Sequence, residues 1–226
     1  MALLQVKQVE YKYRSRYQTV HALQGISYAF EEGKFYAIVG KSGCGKTTFL
    51  SMLAGLDLPT EGDVRYGEET TSRLNRDRYR REGVALICQS YNLFPLLTVQ
   101  ENVMYPLQLR KVPSHKAKAV AAEKLCDVGL DEQYFKRLPA MLSGGEQQRV
   151  AIARALASGA RIILADEPTG NLDTENGENV IEILRRLAKE EGYCVIVVTH
   201  DLSIADKADE VLHLRDGRLT ETAPAI

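Results

Sequence analysis

The sequence has no tryptophan, no long apolar run and no closely spaced pair of cysteines. No uninterrupted apolar stretch approaches the roughly 20 residues that a helix needs to cross a bilayer. The first residues, MALLQVKQVEYKY, also lack the basic start and the long apolar centre of a signal peptide. If a membrane is involved in the function, we therefore expect another polypeptide to span it.

The cysteine spacing and the charge balance argue against two further classes of protein. Cys44, Cys88, Cys126 and Cys194 form no CxxC pair, so we interpret them as reduced thiols of a cytosolic chain rather than as a disulfide or zinc framework. Lysine and arginine number 29 against 30 aspartates and glutamates, which gives a formal net charge of −1. Nucleic-acid-binding proteins usually carry a basic excess, so no nucleic acid is expected as the main partner.

The apolar residues that are present indicate a parallel sheet. With 226 residues, 45% of them hydrophobic, the chain is long enough for one α/β domain with a sizeable core. Four short runs are apolar on both faces, as strands of a parallel sheet covered by helices are. They are FYAIVG (35–40), VALICQ (84–89), RIILAD (161–166) and CVIVVTH (194–200). Since polar or glycine residues end most of them, we expect the chemistry at the carboxyl edge of this sheet.

The two ends of the chain have a different pattern. LLQVKQVEYKY alternates between apolar and polar residues, and HALQGISYAF followed by EEGKFYAIV predicts two antiparallel strands joined by a tight Glu-Gly turn. EVLHLRDGRLT predicts a hairpin around Asp216 and Gly217. We expect both ends to form a small antiparallel β layer beside the parallel sheet.

A helical insertion is predicted between about 98 and 157, where the strand pattern disappears. Thr98 and Glu101 fit a capping box at the start of one helix, and Ser114 is expected to cap the next. The far end of the insertion carries LSGGEQQRVAIARAL, Leu142–Leu156, in which a turn with two glycines leads into a helix. Glycines at such a place indicate a backbone that must bend or must admit a close neighbour.

Another glycine-rich turn, GKSGCGKTT at 40–48, fits the pattern G-x-x-x-x-G-K-[ST] and directly follows the strand FYAIV. Its glycines let successive backbone N–H groups point into one hollow at a helix N-terminus, which binds anions. Lys46 can reach β- and γ-phosphates, and the hydroxyl of Thr47 can ligate Mg²⁺. The turn therefore predicts a nucleotide hydrolase of the P-loop class.

Polar side chains at three other strand ends extend the expected site. Asp166 can hold the Mg²⁺ shell while Glu167 polarises an attacking water. His200 can hydrogen-bond a γ-phosphate or the attacking water. Gln89 can contact the metal or the water, although on spacing alone a neutral loop residue explains it equally well.

The order of these motifs along the chain, GKSGCGKTT, Gln89, LSGGEQ, IILADEPTGNLD and His200, resembles the nucleotide-binding subunits of ATP-binding-cassette (ABC) transporters over essentially the whole sequence. The resemblance implies an α/β P-loop NTPase fold with a mostly parallel core sheet, an antiparallel β layer and an inserted helical subdomain. It implies one domain, 1–226, with residues 1–90 and 158–226 in the core and about 91–157 in the helical subdomain.

The resemblance also assigns roles to the matching positions. Glu167 corresponds to the general base, His200 to the switch histidine and Gln89 to the Q-loop glutamine, so these three are the expected catalytic residues. The expected Mg²⁺ ligands are Thr47, Gln89 and Asp166. The expected ATP-binding residues are Tyr13, Gly40, Lys41, Ser42, Gly43, Cys44, Gly45, Lys46, Thr47, Thr48, Ser143, Gly144, Gly145, Glu146 and Asp173.

One of these assignments leaves alternatives open. The family stacks adenine on an upstream aromatic residue, and in KYRSRYQTVHALQGI Tyr13 aligns best with it, with Tyr17 and Tyr11 as rivals. A surface tyrosine of a strand, without any nucleotide contact, is the other interpretation.

The resemblance explains why one chain has two glycine-rich turns. In this family two copies pack head-to-tail, and the Ser-Gly-Gly turn of each copy caps the γ-phosphate held by the other. It therefore implies ATP as substrate, Mg²⁺ as cofactor and a second copy of the chain as partner.

The segments LADEPTGNLD and QSYNLFPLLTVQENVMYPL resemble the subgroup of macrolide-export, lipoprotein-release and peptide-antibiotic-resistance ATPases. The likeness implies an ATPase held at the cytoplasmic face of the membrane by a separate permease, in an exporter or in a resistance or mechanotransmission complex. Two alternatives stay open: a soluble ABC ATPase acting on nucleic acid or ribosomes, and the ATPase of a small-solute importer.

Overall fold

The computed structural model of the protein describes residues 2–221. Residue 1 and residues 222–226, the two ends of the expected single domain, lie outside the described residues. The strands are Ala2–Arg14 (β1), Thr19–Glu31 (β2), Phe35–Val39 (β3), Glu61–Tyr66 (β4), Glu69–Thr70 (β5), Val84–Cys88 (β6), Ile162–Asp166 (β7), Cys194–Thr199 (β8), Glu210–Arg215 (β9) and Arg218–Thr220 (β10). The helices are Lys46–Leu53 (α1), Arg76–Glu82 (α2), Val99–Leu109 (α3), Ser114–Asp127 (α4), Gly144–Ala157 (α5), Thr174–Glu191 (α6) and Leu202–Ala205 (α7).

The core is a six-stranded sheet in the order β10-β9-β3-β8-β7-β6, in which the strands from β9 to β6 run parallel. β8 is buried along its whole length. Val195 and Val197 lie in the core cluster that contains α6, whereas Ile196 and Val198 lie in the cluster that contains α1. Both faces of the sheet are therefore covered, and the predicted α/β class with its four parallel strands is confirmed.

The second sheet, in the order β2-β1-β4-β5, is antiparallel throughout, as the expected β layer is. The predicted hairpin of β2 with β3 is wrong, because the two strands belong to different sheets. β3 is buried along its whole length and lies between β8 and β9, whereas β2 buries only Leu23, Ile26 and Phe30, which pack over the core. The C-terminal hairpin is present, but it extends the core sheet rather than the β layer, since β9 pairs with β3.

Helices α3, α4 and α5 pack against one another through buried apolar side chains. The capping box of α3 is confirmed: the Thr98 hydroxyl accepts from the Glu101 N–H (3.3 Å), and the Glu101 carboxylate accepts from the Thr98 N–H (2.8 Å). The expected cap at Ser114 is wrong, because Pro113 occupies the N-cap position of α4 and Ser114 is already helical. Within residues 2–221, no helix is both long and apolar enough to cross a bilayer. The division of the chain near 90 and 157 stays a prediction.

Candidate functional site

The glycine-rich turn between β3 and α1 lies against two neighbouring parts of the backbone. Gly43 and Gly45 have φ values of +80° and +107°, which favour glycine. A Cβ atom on Gly45 would lie 2.7 Å from the carbonyl oxygen of Ala22, and one on Gly40 would lie 2.3 Å from that of Leu214. Glycine is therefore required both for the turn itself and for its close packing on β2 and β9.

The side chain of Lys46 is buried inside this turn. Its ammonium group donates to the carbonyl oxygens of Gly40 (2.8 Å) and Lys41 (3.3 Å) and lies 3.6 Å from a carboxylate oxygen of Glu167. Because α1 begins at Lys46, the ammonium and the positive end of the helix act at the same place. An anion bound in the turn would meet both.

A cleft of about 800 Å³ opens beside the turn at the carboxyl edge of the core sheet. It is lined by Tyr13, Val20, His21, Ala22, Gln24, Ser42, Gly43, Cys44, Gly45, Lys46, Thr47, Thr48, Gln89, Asp166, Glu167, His200, Asp216 and Gly217. Most side chains predicted from the P-loop pattern, the acidic pair, Gln89 and His200 are thus brought together in one place. Their roles stay predictions, because proximity alone does not assign them.

The acidic end of β7 suits a hard cation. Burial raises the pKa of Asp166 and the charge of Glu167 adds to this, whereas a hydrogen bond from the Thr47 hydroxyl and the charge of Lys46 oppose it. Oxygens of Thr47, Asp166 and Gln89 line the same cleft. In residues 2–221 no three His, Cys, Asp or Glu side chains form a metal cluster. The donor set of one hydroxyl, one carboxylate and one amide side chain fits Mg²⁺, whose shell phosphates and water can complete.

Glu167 and His200 form a hydrogen-bonded pair at the mouth of the cleft. One carboxylate oxygen of Glu167 lies 2.9 Å from Nδ1 of His200 and also accepts from the Thr199 hydroxyl (3.1 Å) and the His200 N–H (3.3 Å). The backbone of Glu167 is left-handed, with φ of 46°. Thr199 was not predicted; the available signal was a hydroxyl residue directly before the histidine at the end of β8.

Gln89 is tied to the loop that follows the acidic pair. Its side chain donates to Oδ1 of Asn171 (3.2 Å), and the Asn171 side chain donates to the carbonyl oxygen of Gln89 (3.0 Å). Asp173, from the same loop, does not line the cleft among the described residues and caps α6 by accepting from the Asn176 N–H (2.9 Å). Asn171 was not predicted as a partner of Gln89.

Of the three tyrosines that compete for the adenine, Tyr13 lines the cleft. Its hydroxyl lies 3.0 Å from the hydroxyl of Thr48, and its ring packs edge-on against Tyr11 with centroids 4.9 Å apart. Tyr17 is 90% exposed. The geometry therefore favours Tyr13 over its rivals, while the stacking role itself stays a prediction.

The second glycine turn, Ser143–Glu146, is absent from the described lining of the cleft. Ser143 caps α5 in a capping box with Glu146, through bonds of 3.3 Å and 2.7 Å. A Cβ on Gly144 would lie 2.8 Å from the Tyr91 hydroxyl, and one on Gly145 would lie 2.4 Å from Oδ1 of Asn176. The two glycines thus admit close neighbours, as their position indicated, but these neighbours belong to their own chain, which was not predicted.

Comparison with known proteins places the whole chain in a well-populated group. A family model described as ABC transporter matches residues 23–170. YclH of Bacillus subtilis, an uncharacterized ABC transporter ATP-binding protein, is 40% identical over 220 residues, covering 97% of this chain and 96% of YclH. The macrolide export ATP-binding/permease protein MacB of Mannheimia succiniciproducens is 42% identical over 224 residues, covering 98% of this chain but 34% of MacB.

A solved structure adds a dimer to the comparison. The ATP-binding cassette MJ0796, a protein of Methanocaldococcus jannaschii, was solved as a dimer in a post-hydrolysis state bound to ADP and Pi. It superposes with a TM-score of 0.88 at 37% identity, covering 98% of this chain and all of that chain. These figures describe what the present chain is similar to.

Proposed function

This chain belongs to the ABC transporter family as an ATP-hydrolysing subunit, and on that premise we propose that two copies hydrolyse ATP in shared sites to drive a separate permease. The observation that carries the proposal is the separation of the two glycine turns. The P-loop, the acidic pair and His200 share one cleft, whereas Ser143–Glu146 is absent from its described lining. A second copy would supply the missing part.

Different residues of the cleft bind different parts of the substrate. Lys46 and the N–H groups of the P-loop bind the β- and γ-phosphates of ATP, and Tyr13 stacks on the adenine. Thr47, Gln89 and Asp166 would hold Mg²⁺, which neutralises charge on the phosphate oxygens when bound.

In this proposal Glu167 acts as the general base. Its carboxylate accepts a proton from the attacking water, while the hydrogen bonds from Thr199 and His200 fix its orientation. Lys46, 3.6 Å from the same carboxylate, binds the phosphate that the water attacks. The base and the phosphate-binding ammonium group are thereby held at a fixed separation.

The partner copy completes the site with its own Ser-Gly-Gly turn. The serine hydroxyl and the N-terminal end of α5 add hydrogen-bond donors and positive potential at the γ-phosphate. ATP bound between the copies favours association, and ADP, which lacks the γ-phosphate, lets them separate. The dimer of MJ0796 supports this arrangement.

Replacing Glu167 by glutamine tests the shared site. Glu167→Gln retains ATP but lacks the base, so we expect size-exclusion chromatography in Mg-ATP to show a stable dimer, and in ADP a monomer. The double variant with Lys46→Ala is the control and stays monomeric. A Glu167→Gln protein that remains monomeric in Mg-ATP, with and without its permease, contradicts the proposal.

The permease partnership, in an exporter or a resistance or mechanotransmission complex at the cytoplasmic face of the membrane, rests on two observations. The MacB relative is named as a macrolide export ATP-binding/permease protein. In the segment after Gln89, the side chains of Phe94 and Leu96 are 38% and 89% exposed, which gives a short helix of a membrane partner an apolar surface to bind.

We expect affinity purification from detergent-solubilised membranes to recover a multi-span protein with the wild type and less of it with Leu96→Glu. Recovery of ribosomes or nucleic acid instead supports the soluble alternative.

A further inference from the structure

The loop after Gln89 contains a turn of unusual backbone conformation. Tyr91 and Asn92 are consecutive non-glycine residues with φ values of 60° and 48°, in the left-handed region. Most residues other than glycine disfavour this region; asparagine tolerates it as a single residue, but a tyrosine there, with a second left-handed residue beside it, persists where its surroundings hold it. Inside the turn, the Tyr91 N–H donates to the carbonyl oxygen of Cys88 (3.1 Å) and the Asn92 N–H to that of Ser90 (2.6 Å).

The carbonyl oxygens of both strained residues are held by one side chain of α5. Arg154 donates from Nη1 to the carbonyl oxygen of Asn92 (2.7 Å) and from Nη2 to that of Tyr91 (3.0 Å). Burial lowers the pKa of Arg154, which reflects the loss of water around its guanidinium. The planar fork of a guanidinium matches two adjacent carbonyl oxygens in a way that an ammonium group cannot.

Further contacts fix the rest of the loop to the helices. The Tyr91 hydroxyl reaches the start of α5, where it fills the space beside Gly144. Asn102 of α3 is fully buried and bonds both the N–H (2.8 Å) and the carbonyl oxygen (3.1 Å) of Phe94. From Tyr91 onwards, the loop is therefore attached to α3 and α5.

The start of the loop is attached to the core sheet and to the loop that follows the acidic pair. Cys88 ends β6 and pairs with Asp166 in the core sheet, and Gln89 exchanges hydrogen bonds with Asn171. Ser90 alone lies between Gln89 and the turn at 91–92, and that turn bonds both to Cys88 at the end of β6 and to Arg154 of α5. A displacement of α5 would therefore act on the chain one residue away from Gln89.

We propose that Arg154 is a positioning residue, which fixes the turn at 91–92 on α5 so that movement of α5 sets the position of Gln89. The inference rests on the function proposed above, in which the start of α5 contacts the nucleotide of the partner and Gln89 contacts that of its own chain. Arg154 then links the two nucleotide sites of the dimer through Ser90.

Arg154→Lys tests this link, because it keeps the charge and removes the fork. Without nucleotide, we expect hydrogen exchange at the amides of residues 90–94 to rise by about tenfold, the order expected when such a local constraint is lost. Affinity for ATP without Mg²⁺ stays within about twofold, whereas kcat falls by about tenfold, the size of a typical coupling contribution. Adding Asn92→Gly brings the hydrogen exchange at 90–94 and kcat part of the way back to the wild-type values, because glycine adopts the left-handed conformation without support.

Arg110→Lys is the matched control. Arg110 also donates to a main-chain carbonyl oxygen of the α5 region, that of Ser158 just beyond its C-terminal end (2.8 Å). We expect Arg110→Lys to leave exchange at 90–94 and kcat within about twofold of the wild type, the scale of substitutions remote from a site.

Three results would overturn the proposal: unchanged exchange in Arg154→Lys, raised exchange with unchanged kcat, or an equal effect in Arg110→Lys. The exchange measurement needs no ATP hydrolysis and no dimer. Its failure is therefore separate from a failure of the shared-site function, which the Glu167→Gln protein reports.

Discussion

The two glycine-rich turns of the chain, 40–48 and 143–146, both need glycine for close packing, but only the first also needs it for its backbone conformation. In the first, Gly43 and Gly45 have positive φ values, and the backbone is held by its neighbours: the N–H of Gly217 donates to the carbonyl oxygen of Cys44 (3.2 Å). In the second, Gly144 and Gly145 are ordinary helical residues of α5, and what counts is the absent side chain.

Under the proposed function, this difference separates a turn that works within its own chain from a turn that acts on the nucleotide of the partner. The first turn surrounds a buried ammonium group and opens into the cleft with the acidic pair. The second has its capping bonds satisfied and packs on Tyr91 and Asn176, yet none of its residues is in the described lining of the cleft. Variants that act on one turn but not on the other can therefore test the assignment.

The largest effect is expected in the first turn. Lys46→Ala removes the cation that faces the phosphates, so we expect ATP turnover to fall by about 1000-fold, the upper range for loss of one electrostatic contact to the reacting group. Turnover is measured by phosphate release at saturating ATP. Lys116→Ala, an exposed change on α4, should retain wild-type turnover. Near-wild-type turnover in Lys46→Ala would remove the assignment of the P-loop.

A smaller effect is expected from Gly144→Ala in the second turn. The new Cβ meets the Tyr91 hydroxyl at 2.8 Å, so we expect a loss of about 1–3 kcal/mol in the free energy of unfolding. We expect turnover to fall by about 100-fold, because the group that should approach the partner's nucleotide is displaced. ATP binding to the first turn should persist.

The double variant with Tyr91→Phe distinguishes the two functions of this glycine. Removing the hydroxyl oxygen relieves the shortest clash within the chain and leaves the 3.3 Å contact with Leu172, so most of the lost free energy of unfolding should recover in denaturant titration. In the proposed dimer turnover should stay low, because the added methyl group remains at the start of α5, where the nucleotide of the partner binds. If turnover returns together with stability, the glycine serves only packing within its own chain.

How far the sequence predicts this molecule depends on whether a property is local. Runs that are apolar on both faces, such as FYAIV and VALIC, identify the parallel strands because only a covered sheet can bury them. The tight Glu-Gly turn between β2 and β3 shows that they are neighbours along the chain but not which strand each one pairs with, and for this reason the hairpin was predicted wrongly. Sheet membership is decided by contacts that are distant in sequence.

The site follows the same rule. Short patterns with their own chemistry can be located by reading along the chain, and the P-loop, the acidic pair and the histidine are of this kind. Asn171 bonds Gln89 across 82 positions of the chain. Arg154 bonds Asn92 and Tyr91 across 62 and 63 positions. Thr199 reaches Glu167 over 32 positions. No local pattern identifies the distant partners of these residues, so the bonds became visible only in three dimensions.

The smallest and most discriminating effect comes from the two capping boxes, which have nearly the same geometry. In α3 and in α5 the hydroxyl accepts at 3.3 Å, and the carboxylate accepts at 2.8 Å and 2.7 Å respectively. Thr98→Ala and Ser143→Ala should therefore each lower the free energy of unfolding by about 1 kcal/mol, the usual value for loss of an N-cap. Thermal or urea unfolding measures this.

Turnover should separate the two variants even though their stabilities match. Ser143 is expected to donate to the γ-phosphate held by the partner copy, so Ser143→Ala should lower turnover by about tenfold, the loss expected for about 1.4 kcal/mol of transition-state stabilisation. Thr98 begins a helix that contacts no nucleotide in the proposed dimer, and Thr98→Ala should turn over ATP at the wild-type rate. Equal losses in both would mean that the second turn acts through helix stability alone, and a single copy would then have to hold the whole catalytic site.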